Sequence, residues 1–144
     1  MTREMMNCER RRNDRALASG GQSGPGSHVR RVGVRAGLAV FQGHPKLEHY
    51  NPLGTVHGGW TATLLDSAMG CAVHSMLSAG RGYTTLEFKL NFVRPLTDAV
   101  PLVRAEGKLI HGGKQVATAE GRLVGPDGKL YAHATTTCLI FDRR

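Results

Sequence analysis

Within NPLGTVHGGWTATLLDSAMGCAVHSML, residues 51–77, an apolar run opens on His57-Gly58-Gly59 and carries a single acid, Asp66. A lone carboxylate among apolar residues is costly to bury and needs a partner or water. One reason to keep it there is chemistry, as a general base or as a nucleophile. The start of a helix offers backbone N–H groups without intrahelical acceptors and a partial positive charge, which suits a polarised carbonyl or an oxyanion. Gly58 has no side chain to hold a carbonyl away from its N–H, and losing one such donor typically costs on the order of 2.7–4 kcal/mol of transition-state stabilisation. Eight residues separate Gly58 from Asp66, about 12 Å along a helix at 1.5 Å per residue, so both cannot touch one carbon atom. Two copies of the helix packed antiparallel about a two-fold axis would bring Asp66 of one subunit to Gly58 of the other and form two equivalent sites.

The elements that must hold these residues are legible from pattern. GVRAGLAVF, from Gly33 to Phe41, has the β-branched and apolar character of a first strand. A loop holding Gly43, Pro45, Pro52 and Gly54 follows, then a helix from about Gly59 to Leu77. Trp60, Leu64, Leu65, Ala68, Met69, Cys71, Ala72, Val73, Met76 and Leu77 cover most of its circumference, which predicts a helix buried nearly all round with no polar stripe. SAGRG is expected to end it, Gly80 and Gly82 supplying left-handed backbone and Arg81 opposing the dipole. Four strand-like segments come next. In TTLEFKLNF, Leu86, Phe88, Leu90 and Phe92 alternate with Glu87, Lys89 and Asn91, the period of a sheet with one face on a core. PLVRAEGKLI, KQVATAEGRLV and KLYAHATTTCLIF follow, separated by short turns that predict an antiparallel meander. A helix that is apolar all round must be covered on most sides, and a strongly curved antiparallel sheet would do this while leaving one side for a second subunit. The expected class is therefore α+β, a hotdog fold, with a curved antiparallel sheet wrapped around one long buried helix.

The chain has 144 residues, 40% hydrophobic and 21% charged, which fits one soluble globular domain. No window reaches the roughly 18 apolar residues that a membrane span needs, and the N-terminus lacks the apolar core of a secretory leader. Cys8, Cys71 and Cys138 are odd in number and form no CxxC pair, so neither a disulfide framework nor a zinc site is supported, and a cytoplasmic location is expected. The histidines show no metal-ligand spacing. Of the net charge of +8, half lies in residues 1–31, where seven arginines face Glu4, Glu9 and Asp14. Residues 1–30 read as a disordered basic tail and residues 31–144 as the folded domain. The tail has no interleaved aromatics to stack bases, so no nucleic acid is expected as a partner.

The order Asn51, Gly54-Thr55-Val56-His57-Gly58-Gly59, Asp66 and then Thr84-Thr85-Leu86-Glu87-Phe88-Lys89-Leu90-Asn91-Phe92 resembles the hotdog acyl-CoA thioesterases of the phenylacetate-degradation (PaaI-like) type. The resemblance runs from about residue 33 to the C-terminus. It does not cover the tail, where members of that family usually carry a short helix. It implies a homodimer, commonly paired into a tetramer, that hydrolyses an acyl or aryl thioester of coenzyme A with no metal or bound cofactor. It also implies that Asp66 is general base or nucleophile, that Gly58 and His57 sit beside the carbonyl, that Asn51 places water or the acid, and that Thr85 orients one of them.

Each residue has a plainer reading as well. Asp66 could bond a buried backbone group, His57 could pack, Asn51 could close a turn or cap a helix, and Thr85 could be an ordinary strand residue with Thr84 its competitor for the role. Arg81, Arg94 and Lys114 are candidates for the phosphates of coenzyme A, each more often a solvated charge. The rival functions are a hydratase on the same fold and a non-catalytic acyl-CoA-binding protein acting as sensor or interaction subunit.

Overall fold

A computed structural model of the chain describes residues 29–143. The elements run β1 (Val29–Arg35), β2 (Leu38–Gly43), helix α1 (Gly58–His74), β3 (Arg81–Phe92), β4 (Val103–Gly112), β5 (Val116–Val124) and β6 (Leu130–Asp142). The six strands form one antiparallel curved sheet in the order β1-β2-β4-β5-β6-β3. The helix lies on it, packed chiefly against β2, β4 and β5. This is the hotdog arrangement expected from the segment pattern.

Three details differ from the sequence reading. The single first strand is a hairpin, because Gly37 adopts a positive φ of 72° and turns the chain between β1 and β2. β1 also takes in Val29 and Arg30, the last two residues of the stretch read as a tail; the remainder of that stretch, residues 1–28, lies outside the described residues. Only β4, β5 and β6 form a meander, since β3 pairs with β6 at the far edge and β2 takes the place beside β4.

α1 buries Thr61, Leu64, Leu65, Ala68, Met69, Ala72 and Val73 along one side, the i, i+3, i+4 spacing of a single face. Burying each of the larger side chains contributes about 1.5–3 kcal/mol. The other face is not apolar, contrary to expectation. Gly59 and Thr63 are exposed and Ala62 and Ser67 partly covered, so a strip of small and polar residues faces away from the sheet, while Asp66 and His74, also partly covered, lie towards the edge strand β3. The helix backbone is seated unusually close to β4: a Cβ at Gly107 would collide with the Ala68 carbonyl. α1 ends at His74 rather than at the SAGRG segment, because Ser75 caps it. The Ser75 hydroxyl donates to the Ala72 carbonyl (2.7 Å) and accepts from the Gly37 N–H (2.8 Å), tying the helix end to the β1–β2 turn. Arg81, expected to oppose the helix dipole, lies in β3 and pairs with Asp142.

β3 has the most regular alternation in the chain yet buries little of it. A bulge between Thr85 and Glu87 shifts its register against β6, leaving Leu86 and Phe92 each 57% exposed while Phe88 and Leu90 are half-buried. An edge strand has a neighbour on one side only, so alternation alone does not bury its apolar face.

Candidate active site

The loop before α1 is fastened at several points. Tyr50 and Val56 form an isolated antiparallel bridge, the His57 N–H donates to the His49 carbonyl (2.7 Å), and the Val56 N–H donates to the Leu96 carbonyl (2.9 Å). The Tyr50 hydroxyl donates to the Asp98 carboxylate (2.6 Å) and accepts from the Asp98 N–H (3.0 Å), and that carboxylate raises the Tyr50 hydroxyl above its ordinary value. Asn51 closes the turn that follows. Its side-chain oxygen accepts from the N–H groups of Leu53 (2.9 Å) and Thr55 (3.3 Å), and its amide donates to the Thr55 hydroxyl (3.0 Å). This is an Asx turn that holds Asn51 beside the helix start.

His57 is the N-cap of α1. Its Nδ1 accepts the Gly59 N–H at 2.8 Å, the task a capping side chain performs. Gly58, at the first helical position, has no acceptor for its N–H within the helix. With the Gly59 N–H occupied by His57, the Gly58 N–H is the available donor at this mouth. It borders a half-open pocket of roughly 360 Å³, whose lining includes Asn51, Thr61, Phe92, Arg94 and Tyr131.

Asp66 lies two turns further along, partly covered, at the seam between α1 and β3. Its Oδ1 accepts the Thr85 hydroxyl at 3.1 Å. Of the two threonines considered from the sequence, Thr85 is the one that meets the acid, while Thr84 is exposed on the other side of β3. Cys138 stands opposite Thr85 on β6. Burial raises the thiols of Cys71 and Cys138 and the Tyr83 hydroxyl, and the Asp66 charge adds to the effect in all three cases. The acid thus stands beside half-buried groups that stay protonated, with one hydroxyl donating to it.

The three cationic candidates do not form one patch. Arg94 lines the pocket beside Gly58. Arg81, at the opposite end of β3, donates from Nη2 to the Lys114 carbonyl (2.9 Å) while its Nε lies 3.1 Å from Asp142. Arg81 and Lys114 are therefore neighbours of each other and not of Arg94. Trp60, one of the apolar residues of the helix, does not line this pocket. Its ring stacks on His49 (centroids 5.0 Å apart) and lies against Gly43. Phe92 and Tyr131 went unnoticed as site residues: strand periodicity assigned Phe92 to the core, and the exposure of a large aromatic at a strand end is invisible without the sheet order.

The fold is shared with known proteins. The Thioesterase superfamily model matches residues 53–132, more than half of the chain, and the chain belongs to that family. A protein of Halobacterium salinarum, provisionally named an esterase, is 34% identical over 86 residues, which cover 58% of this chain and 55% of that protein. The chain thus spans about half the length of the curated relative. The Escherichia coli PaaI protein from the phenylacetic acid degradation operon superposes with a TM-score of 0.80 at 19% identity, over 94% of this chain and 96% of that one. A Streptococcus mutans protein, smu.793, solved bound to acetyl CoA, superposes with a TM-score of 0.75 at 19% identity, over 88% and 98% of the two chains. At these identities the two structures speak for the fold.

Proposed function

We propose that the protein hydrolyses an acyl or aryl thioester of coenzyme A to the free acid and coenzyme A, in the manner of the PaaI-like thioesterases. The observation that carries this reading is the pairing of the partly covered Asp66 with the Thr85 hydroxyl at 3.1 Å, at the seam between α1 and the edge strand β3. Family membership and an acetyl-CoA-bound structural neighbour support it.

In this mechanism the thioester carbonyl accepts the Gly58 N–H, and the partial positive charge of the helix start stabilises the oxyanion as the carbonyl carbon becomes tetrahedral. Asp66 then either takes a proton from the attacking water or attacks the carbon itself to give a mixed anhydride that water cleaves. The thiolate of coenzyme A leaves in both cases. Thr85 holds the carboxylate in position, while Asn51 and His57 build the mouth that presents the N–H. The 12 Å between Gly58 and Asp66, estimated from eight residues of helix, makes the site a product of two chains. The small residues Gly59, Ala62, Thr63 and Ser67 allow a second helix to approach closely. A homodimer with antiparallel helices, paired further into a dimer of dimers, completes it. Arg94, Arg81 and Lys114 would meet substrate phosphates from separate places. The reaction needs no metal or bound cofactor, and the reading involves a cytoplasmic enzyme with neither nucleic acid nor membrane as partner. No helix among the described residues is long and apolar enough to cross a membrane.

Thiol release from phenylacetyl-, hydroxybenzoyl-, hexanoyl- and palmitoyl-CoA tests this. Wild type is expected to turn over at least one ester, and Asp66→Asn to lose most of that rate while still binding it. A folded wild type that binds these esters and hydrolyses none would instead be an acyl-CoA-binding protein.

A further inference from the structure

Phe92 ends β3 opposite Ala132 of β6, and its ring is 57% exposed. That ring is aimed at the first residue of α1: a Cβ built on Gly58 would stand 2.7 Å from Phe92 Cζ, with the two Cε atoms at 3.2 and 3.3 Å. Phe92 and Gly58 line the same pocket. A large aromatic left more than half in solvent contributes little to the core, yet this one occupies the space that any other residue at position 58 would need.

We propose that Phe92 is a positioning residue for the Gly58 N–H. The inference rests on the reading of that N–H as the donor to the thioester carbonyl. The ring covers the helix mouth from one side, limits the water that can compete for the N–H, and so strengthens the donor where negative charge develops. Glycine at position 58 has two roles in this account: it admits the carbonyl, and it lets the ring close. The contact matters in the transition state more than in substrate binding, so its loss lowers kcat and leaves KM nearly unchanged.

A double-mutant cycle tests this with phenylacetyl-CoA and hexanoyl-CoA, measuring kcat, KM and Tm for wild type, Phe92→Ala, Gly58→Ala and the double variant. Gly58→Ala keeps the N–H but pushes the ring away. Phe92→Ala is expected to lose about tenfold in kcat, with KM within about threefold and Tm nearly unchanged, and Gly58→Ala to lose at least as much, since its methyl group also crowds the carbonyl. Phe92→Leu, which keeps apolar cover, should recover part of the rate. The double variant should be no more than about threefold slower than Gly58→Ala, because that change has already removed the ring contact. Multiplying effects, or an unchanged kcat in Phe92→Ala, overturn the inference and leave the thioesterase reading standing. A fall in kcat that tracks a collapse in Tm also overturns it, since Phe92 would then be structural. A wild type that hydrolyses neither these esters nor others of the panel overturns both.

Discussion

The two polar regions of α1 use their side chains in opposite ways. At the mouth, Asn51 and His57 spend their hydrogen bonds on backbone groups of the same loop and turn. The group left for chemistry there is a backbone N–H, that of Gly58. Two turns on, the backbone is satisfied by the helix, and the group left for chemistry is a side chain, Asp66, held by another side chain, Thr85. In the proposed mechanism, residues that look alike in a motif therefore act at different removes: Asp66 and Gly58 would touch the substrate, while Asn51, His57 and Thr85 would hold those two in place.

The contrast can be broken experimentally, and the largest effect is expected at the acid. Asp66→Asn should lower kcat by about 10²–10⁴-fold, the range of a general base, with a circular dichroism spectrum like that of wild type. Gly107→Ala acts beneath the same stretch of helix through packing alone: its methyl group meets the Ala68 carbonyl, and a loss of about 1–3 kcal/mol is expected in urea unfolding. Thr85→Ala should reduce kcat by about tenfold, consistent with losing one hydrogen bond to a charged group, and Thr85→Ser should restore most of it. His57→Ala removes a cap and should cost about 1 kcal/mol of stability, with kcat falling less than in Asp66→Asn. His57→Asn, a good cap, should recover the melting temperature. A loss in His57→Ala as large as that in Asp66→Asn would erase the contrast and make His57 a catalytic residue.

The smallest effect is one of pH at the far end of the helix. Burial, with Arg143 adding to it, lowers the His74 imidazole below its ordinary value of 6.5. The folded protein therefore keeps the ring neutral where the unfolded chain would protonate it. That stabilisation is fully present above pH 6.5 and is lost as pH falls through the folded value. The melting temperature should decline as pH falls below about 6.5, and His74→Gln should flatten that decline.

Much of this was legible in the chain itself. The four later strands and the helix follow from periodicity and turn chemistry, and the cost of an acid in an apolar run singles out Asp66. The β1–β2 hairpin was not, although Gly37 was its signal, because two short strands separated by only Ala36 and Gly37 read as one. The regular alternation of β3 misled for a physical reason. A period of two says that a strand has two faces, but whether either is buried depends on the neighbours it acquires and on bulges such as the one at Leu86.

By itself the sequence determined the local elements, the chemical groups on offer and the distance along the helix that keeps Gly58 and Asp66 apart, since these depend on residue type and on spacing within one segment. Only the tertiary structure decided that Thr85 rather than Thr84 meets the acid, that β3 leaves β4 to pair with β6, that Arg81 joins Lys114 away from Arg94, and that Phe92 lies on Gly58. Each of these outcomes sets one segment against another distant in the chain, and such pairings are chosen by the packing of the whole sheet on the helix rather than by any pattern within a segment.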